Sequence, residues 1–266
     1  MHRNPHRGSS VEFAEYKEYA PGDDIRHIDW RAYGRIDRYY VKQFEDETNV
    51  RAYMLLDSSG SMSFSFEAAP TKLLYASTLL ASLAHVLLKQ GDAPGLLTFD
   101  DRPRNWLPPS SSRKQLSDIC TVLDTAPGTG RTSIERALSR VAERVFARSL
   151  VVLTSDFLET GEDVLTLAQV LRRRGMEVVL FHVLDRAEWT LPFEGLTFFE
   201  GLEEDGELLV DPDDVRDAYQ ELFREHASQI EATAHRGDLE YFRTYTDEPV
   251  ERVLLDFIRS RRRRSR

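Results

Sequence analysis

The stretch Val50-Arg51-Ala52-Tyr53-Met54-Leu55-Leu56-Asp57-Ser58-Ser59-Gly60-Ser61 decides how this chain is read. Its opening is a short, nearly continuous apolar run, the pattern of a strand buried on both faces. The run stops at Asp57, which places a carboxylate at the strand's carboxyl end. Beyond it Asp57, Ser59 and Ser61 alternate. On a loop leaving a strand, that spacing can turn three oxygens towards one point, and Gly60 lets the backbone bend between them. Carboxylate and hydroxyl oxygens without sulfur or imidazole suit a hard cation, Mg2+ or Mn2+.

Working outward, residues 70–90 carry Leu73, Ala76, Leu80, Leu83 and Leu87 at helical spacing, with Gly91 as a stop. Residues 93–99 read as a second strand and 104–107 as a short edge strand before Pro108-Pro109. Helices are expected over 111–124 and 133–147. Residues 150–154 form the clearest buried strand, with Asp156 just beyond its end. A helix over 164–174 stops at Gly175, and 177–183 is a further strand. Residues 186–210 read as irregular and acidic. Asp211 caps a helix over 211–233 whose first position is Pro212. A strand over 239–245 and an amphipathic helix over 249–262 complete the pattern. Strands alternating with helices predict an α/β fold, a doubly wound and mostly parallel sheet covered on both faces. Ligands of such sheets bind at the carboxyl ends of the strands, where Asp57 and Asp156 are both expected.

Four regions follow. Residues 1–10 are expected to be a flexible N-terminus. Residues 11–48, rich in aromatic and charged side chains, are expected to form an arm packed on the main domain, with a turn at Pro21-Gly22 and an extended strand over 39–46. Residues 49–260 form the main domain, and 261–266 a basic tail.

The chain of 266 residues has a net charge of -10, which argues against a general affinity for nucleic acid. The Arg-rich end, Arg261 to Arg266, runs against that balance and is expected to be a frayed, solvated terminus. The lone Cys120 lies in an apolar pattern with Leu116, Ile119 and Leu123 and is expected to be a buried small hydrophobe. No N-terminal apolar stretch resembles a signal peptide, and no apolar run approaches the roughly 20 residues of a membrane span, so a cytoplasmic protein is expected. No Gly-x-x-x-x-Gly-Lys-Ser/Thr loop is present to hydrolyse nucleotide. None of His2, His6, His27, His85, His182, His226 and His235 is obviously placed as a base beside Asp57, so a binding protein is expected rather than an enzyme. A metal-dependent, phosphatase-like hydrolase is the alternative.

Two further stretches carry a family resemblance. Gly128-Thr129-Gly130-Arg131-Thr132 precedes a helix and offers hydroxyls, and Leu153-Thr154-Ser155-Asp156 offers a carboxylate after a strand. With Asp57-Ser58-Ser59-Gly60-Ser61 these resemble the metal-ion-dependent adhesion site of the von Willebrand factor A family, a Rossmann-type fold. The resemblance implies the ligand set Asp57, Ser59, Ser61, Thr132 and Asp156. It also implies an open metal position that a carboxylate from a partner protein completes. Thr132 is preferred to Thr129 because it directly precedes the helix; Arg131 stands where the family commonly has Gly. The segment Tyr19-Ala20-Pro21-Gly22-Asp23-Asp24-Ile25-Arg26-His27-Ile28-Asp29-Trp30, with Glu45-Asp46-Glu47-Thr48, resembles the bacterial von Willebrand factor A-like proteins of domain of unknown function 58. These accompany MoxR-type AAA+ ATPases, which implies such an ATPase as partner. Asp23, Asp24, Arg26, Asp29 and Trp30 are the candidate partner-binding residues of that segment; the alternative is a structural role, with paired charges and Trp30 packing the arm.

Overall fold

A computed structural model of the chain describes residues 11–20, 28–36, 38–46, 50–145, 148–158, 162–203 and 206–264. The chain divides into two compact units, residues 1–49 and 50–266. In the first, β1 (Val11–Glu18) and β2 (Tyr40–Asp46) pair antiparallel, with a register shift between Phe13 and Glu15. Between them lies α1 (Trp30–Ile36), whose start is capped by the Asp29 carboxylate accepting from Ala32 N at 3.2 Å. The Tyr33 and Tyr39 rings stack at 4.4 Å, and the exposed Trp30 ring meets Tyr39 edge-on. Of the candidate partner-binding residues, Asp29 and Trp30 therefore shape α1 and its aromatic cluster; Asp23, Asp24 and Arg26 lie outside the described residues.

The second unit grows from the run that ends in Asp57. That run is β3 (Arg51–Asp57), and every residue after Arg51 is buried. The helix α2 (Lys72–Lys89) follows, then β4 (Ala93–Phe99), the edge strand β5 (Pro103–Leu107), α3 (Gln115–Asp124) and α4 (Ile134–Ala142). Next come β6 (Leu150–Ser155), α5 (Glu162–Arg173), β7 (Glu177–Leu184) and the short α6 (Arg186–Thr190). The hairpin strands β8 (Thr197–Glu200) and β9 (Glu207–Val210), α7 (Pro212–Arg236), β10 (Glu240–Tyr245) and α8 (Val250–Arg264) complete it. The six-stranded sheet runs β10-β7-β6-β3-β4-β5, parallel throughout except for the antiparallel β5. The doubly wound, mostly parallel sheet expected from the sequence is thus present.

Side chains of a strand alternate between faces, so each central strand feeds two cores. Ala52, Met54 and Leu56 of β3 and Leu150 and Val152 of β6 pack with α2, with Ile119 of α3 and with Phe257 of α8. Tyr53 and Leu55, with Val151 and Leu153, pack with Leu138 of α4, Ala168 of α5 and Ile230 of α7. Each fully buried leucine contributes about 2 kcal/mol of transfer free energy. The helix α2 is 18 residues long with a mean hydropathy of 1.2, long and apolar enough by composition to cross a membrane, which qualifies the expectation of no spanning run. Here its apolar face, Ala76, Leu79, Leu80, Leu83, Ala84 and Leu87, is buried in the core. It starts at Thr71, whose hydroxyl accepts from Leu74 N at 3.1 Å, and Gly91 beyond its end adopts a left-handed φ of 84°.

Three expectations change. The region over 186–210 is ordered into α6 and the β8–β9 hairpin. The helix expected over 133–147 ends at Ala142. The helix α8 runs on to Arg264, so the first four residues of the basic tail are helical, and Arg261 pairs with Glu177 at 3.3 Å. Arginine is a good helix former, and cations favour a helix C-terminus.

Candidate metal centre

Three loops meet at the carboxyl edge of the central strands. Strand β3 pairs with β6 in a register that sets Leu56 against Thr154, so Asp57 and Ser155 emerge side by side. The first loop is tied to β4, where Ser58 donates to Phe99 O through its amide at 2.7 Å and its hydroxyl at 2.9 Å. The second loop latches onto the first: Gly60 N donates to Gly130 O at 2.7 Å and Thr129 N to Ser58 O at 3.2 Å. Ser133 N donates to Asp100 O at 2.8 Å, which fixes the start of α4 against the end of β4.

The backbone ties aim hydroxyls at one carboxylate. Asp57 Oδ2 accepts from Thr132 Oγ1 at 2.8 Å and from Ser155 Oγ at 2.7 Å. Asp57 Oδ1 accepts from Ser59 N at 3.0 Å, and the Ser59 and Ser61 hydroxyls are 3.2 Å apart. The Ser61 hydroxyl is close enough to Asp156 to favour its ionised form. Of the residues carried over by resemblance, Asp57, Ser59, Ser61 and Thr132 are linked by hydrogen bonds, and Asp156 stands beside them, acting on Asp57 through its charge. Thr132 supplies its hydroxyl, whereas Thr129 supplies its amide.

Sequence reasoning missed the charges around this cluster. Lys72, the first residue of α2, has its side chain fully buried; its ammonium donates to Asp156 Oδ2 at 2.7 Å and also to Glu188. A signal existed: a lone cation at the first position of an apolar helix opposes the helix dipole and needs an anion. Glu188 is the third helical residue of a capping box begun by Asp185, a pattern visible as Asp185-x-x-Glu188. Glu203 was beyond reach: its Oε1 accepts from Ser61 N at 3.1 Å across 142 residues of sequence.

Burial first, then the neighbouring Asp156 charge, push the Asp57 carboxyl up to about 7. Burial also acts to raise Asp156, but the Lys72 ammonium outweighs it and holds that carboxyl below the usual range. Burial raises Glu188 despite its contact with Lys72. Burial would lower Lys72, yet its two carboxylates win and raise it. Asp156 and Glu188 thus share the Lys72 ammonium, a formal excess of one negative charge when both are ionised, and the Asp57 carboxyl stands beside Asp156. Among the described residues, no three His, Cys, Asp or Glu side chains are grouped as metal ligands. Any metal would rest on serine and threonine hydroxyls beside Asp57 and Asp156, a hard-oxygen set that fits Mg2+ or Mn2+ in chemistry and in the charge it would offset.

The nearest imidazole is committed elsewhere. His182 Nδ1 lies 2.7 Å from the Tyr241 hydroxyl, and its ring also contacts the Asp156 backbone; burial pushes its pKa down to about 3, so it stays neutral. His226 Nε2 lies 2.9 Å from Phe157 O. Both rings brace the third loop, where Phe157 holds a left-handed φ of 53°.

The family described as protein of unknown function DUF58 matches residues 15–229 of the chain. The uncharacterized protein Rv1480 of Mycobacterium tuberculosis is 24% identical over 261 residues, 96% of this chain and 81% of that protein. Among solved structures, the conserved hypothetical protein BatB of Bacteroides thetaiotaomicron aligns at 19% identity with a TM-score of 0.50, over 74% of this chain and 90% of its own. An aerotolerance-related membrane protein of Bacteroides fragilis aligns at 18% identity with a TM-score of 0.53, over 77% and 97%. At these identities the likeness concerns the fold, and residues 50–266 have the doubly wound, mostly parallel, Rossmann-type arrangement expected.

Proposed function

The chain belongs to the DUF58 family, and from that premise we propose that it is a metal-ion-dependent protein-binding module rather than an enzyme. The observation that carries the reading is the meeting of Asp57, Ser59, Ser61, Thr132 and Asp156 in one cluster whose two carboxylates are buried. Ser59, Ser61 and Thr132 would offer hydroxyl oxygens, while Asp57 and Asp156 hold those hydroxyls in place. A bound Mg2+ or Mn2+ would supply an open position for a carboxylate of a partner protein. A hydrolytic role is not favoured, because the nearby His182 is held neutral by burial and bonded to Tyr241.

The partner proposed first is a MoxR-type AAA+ ATPase, with complex assembly or maturation as the setting. A cytoplasmic location is part of the same proposal, and cell fractionation tests it. The test of function is capture of a purified MoxR-type ATPase by the full chain. Retention in Mg2+, loss in chelator and loss in Asp57→Ala with an unchanged circular dichroism spectrum are expected. Equal recovery with and without chelator would overturn the reading.

A further inference from the structure

We propose that Glu203 is the metal loop's own carboxylate, and that the turn Gly201–Glu203 covers the site until a partner's carboxylate displaces it. The inference rests on the metal-binding reading above and names its regulation. Glu203 is only 4% exposed, while its neighbour Leu202 is 47% exposed. The turn thus buries its acid and presents its leucine to water, the reverse of what transfer energies favour. Burying a carboxylate costs several kcal/mol unless donors or a cation compensate. Among the described residues its carboxylate accepts from one amide, Ser61 N, which belongs to a residue of the candidate ligand set.

The seating of the turn is specific. The Leu202 carbonyl lies over Gly60, so that a Cβ at Gly60 would stand 2.1 Å from its oxygen. Only glycine leaves room for backbone to lie on backbone there. The Glu203 carbonyl accepts from Arg131 Nε at 3.4 Å, which ties the turn to the second loop as well. Glu203 and Glu188 line one cavity of about 300 Å3 together with Ser61, which is the member of the candidate ligand set that reaches its wall. Behind the turn, Phe199 of β8 meets the Phe193 ring edge-on at 5.3 Å. The turn hangs from β8 and β9, four residues each and paired only with each other, and Phe198, Leu208 and Leu209 of that hairpin are exposed. A two-stranded ribbon of that size is marginal by itself. A cover held this way can be lifted without disturbing the six-stranded sheet.

The experiment uses the full chain with Mn2+ alone as probe, following affinity by electron paramagnetic resonance and inner-sphere hydration by water-proton relaxation. Wild type is expected to bind Mn2+ and Asp57→Ala to lose binding. Glu203→Gln is expected to bind about tenfold more weakly. It should also show higher relaxation per bound ion, since water takes the vacated position. Acetate should reverse that gain in Glu203→Gln and have little effect on wild type. Glu203→Asp, which keeps the charge but shortens its reach, should fall between the two and serves if Glu203→Gln does not fold. Binding through Asp57 with identical affinity and relaxation in the Glu203 variants would overturn the role of Glu203 alone. No Mn2+ binding by wild type, or binding that survives Asp57→Ala, would remove the metal centre and this inference with it.

Discussion

Replacing Lys72 with Met keeps an unbranched, apolar stem of similar length and removes only the ammonium. The Lys72 side chain is fully buried, that of Asp156 is 1% exposed and that of Glu188 is 11% exposed, so water cannot screen the two carboxylates left behind. Breaking a buried pair by removing one partner costs about 3–5 kcal/mol, a hundredfold or more in the folding equilibrium. The substitution removes the cation paired with Asp156 and Glu188 and leaves one more uncompensated negative charge in the cluster. A divalent cation therefore has more to offset in Lys72→Met than in wild type. The assay is urea unfolding followed by circular dichroism at pH 7, in chelator and in excess Mg2+. In chelator Lys72→Met should lose about 3–5 kcal/mol. In Mg2+ it should regain more than wild type gains. A loss below about 1 kcal/mol, the range of an exposed ion pair, would refute the buried charge cluster. A full loss with no Mg2+ recovery would refute the claim that a cation relieves it.

Two further outcomes follow from the same geometry. Because the Asp57 carboxyl moves from 3.8 up to about 7 on folding, the native state holds its proton longer, and this contribution is complete below pH 4 and lost as pH rises through 7. The shift corresponds to about 4 kcal/mol as an upper bound, and it should be read in chelator as the difference between wild type and Asp57→Asn. That difference cancels His182, which moves from 6.5 down to about 3 and costs stability as pH falls. A flat difference between pH 4 and 8 would contradict it, and Mg2+ should flatten the slope, since metal uptake releases the proton. Gly60→Ala should lower stability by about 1–3 kcal/mol by thermal unfolding, because the new methyl meets the Leu202 carbonyl; an unchanged midpoint would mean that the turn does not rest there.

The parts legible in the sequence share a physical cause. Strands β3 and β6 are buried on both faces, so their apolar runs are continuous and their ends are sharp at Asp57 and Asp156. Asp211-Pro212 announces α7 because a cap and a fixed φ act within one turn. Residues 197–210 were opaque because the hairpin exposes Phe198, Leu208 and Leu209, so no alternation of apolar and polar side chains marks its strands. The hydroxyls and carboxylates of the site could be found from one motif and its companions. The charges that balance them, Lys72 and Glu188, are brought in by helix starts, and Glu203 by a turn, and their meeting with Asp156 and Ser61 is set only by tertiary packing.

Strand β6 sends Leu150 and Val152 to one core and Val151 and Leu153 to the other before delivering Asp156 beside Asp57. That parity makes the segment intolerant of indels. One residue inserted between 150 and 155 would exchange the two sets of side chains and carry the carboxylate about 3.3 Å past its partners, onto the opposite face. Length variation among relatives should therefore collect outside the strands, while the spacing from the start of β6 to its aspartate stays constant, a molecular ruler that can be read without any structure.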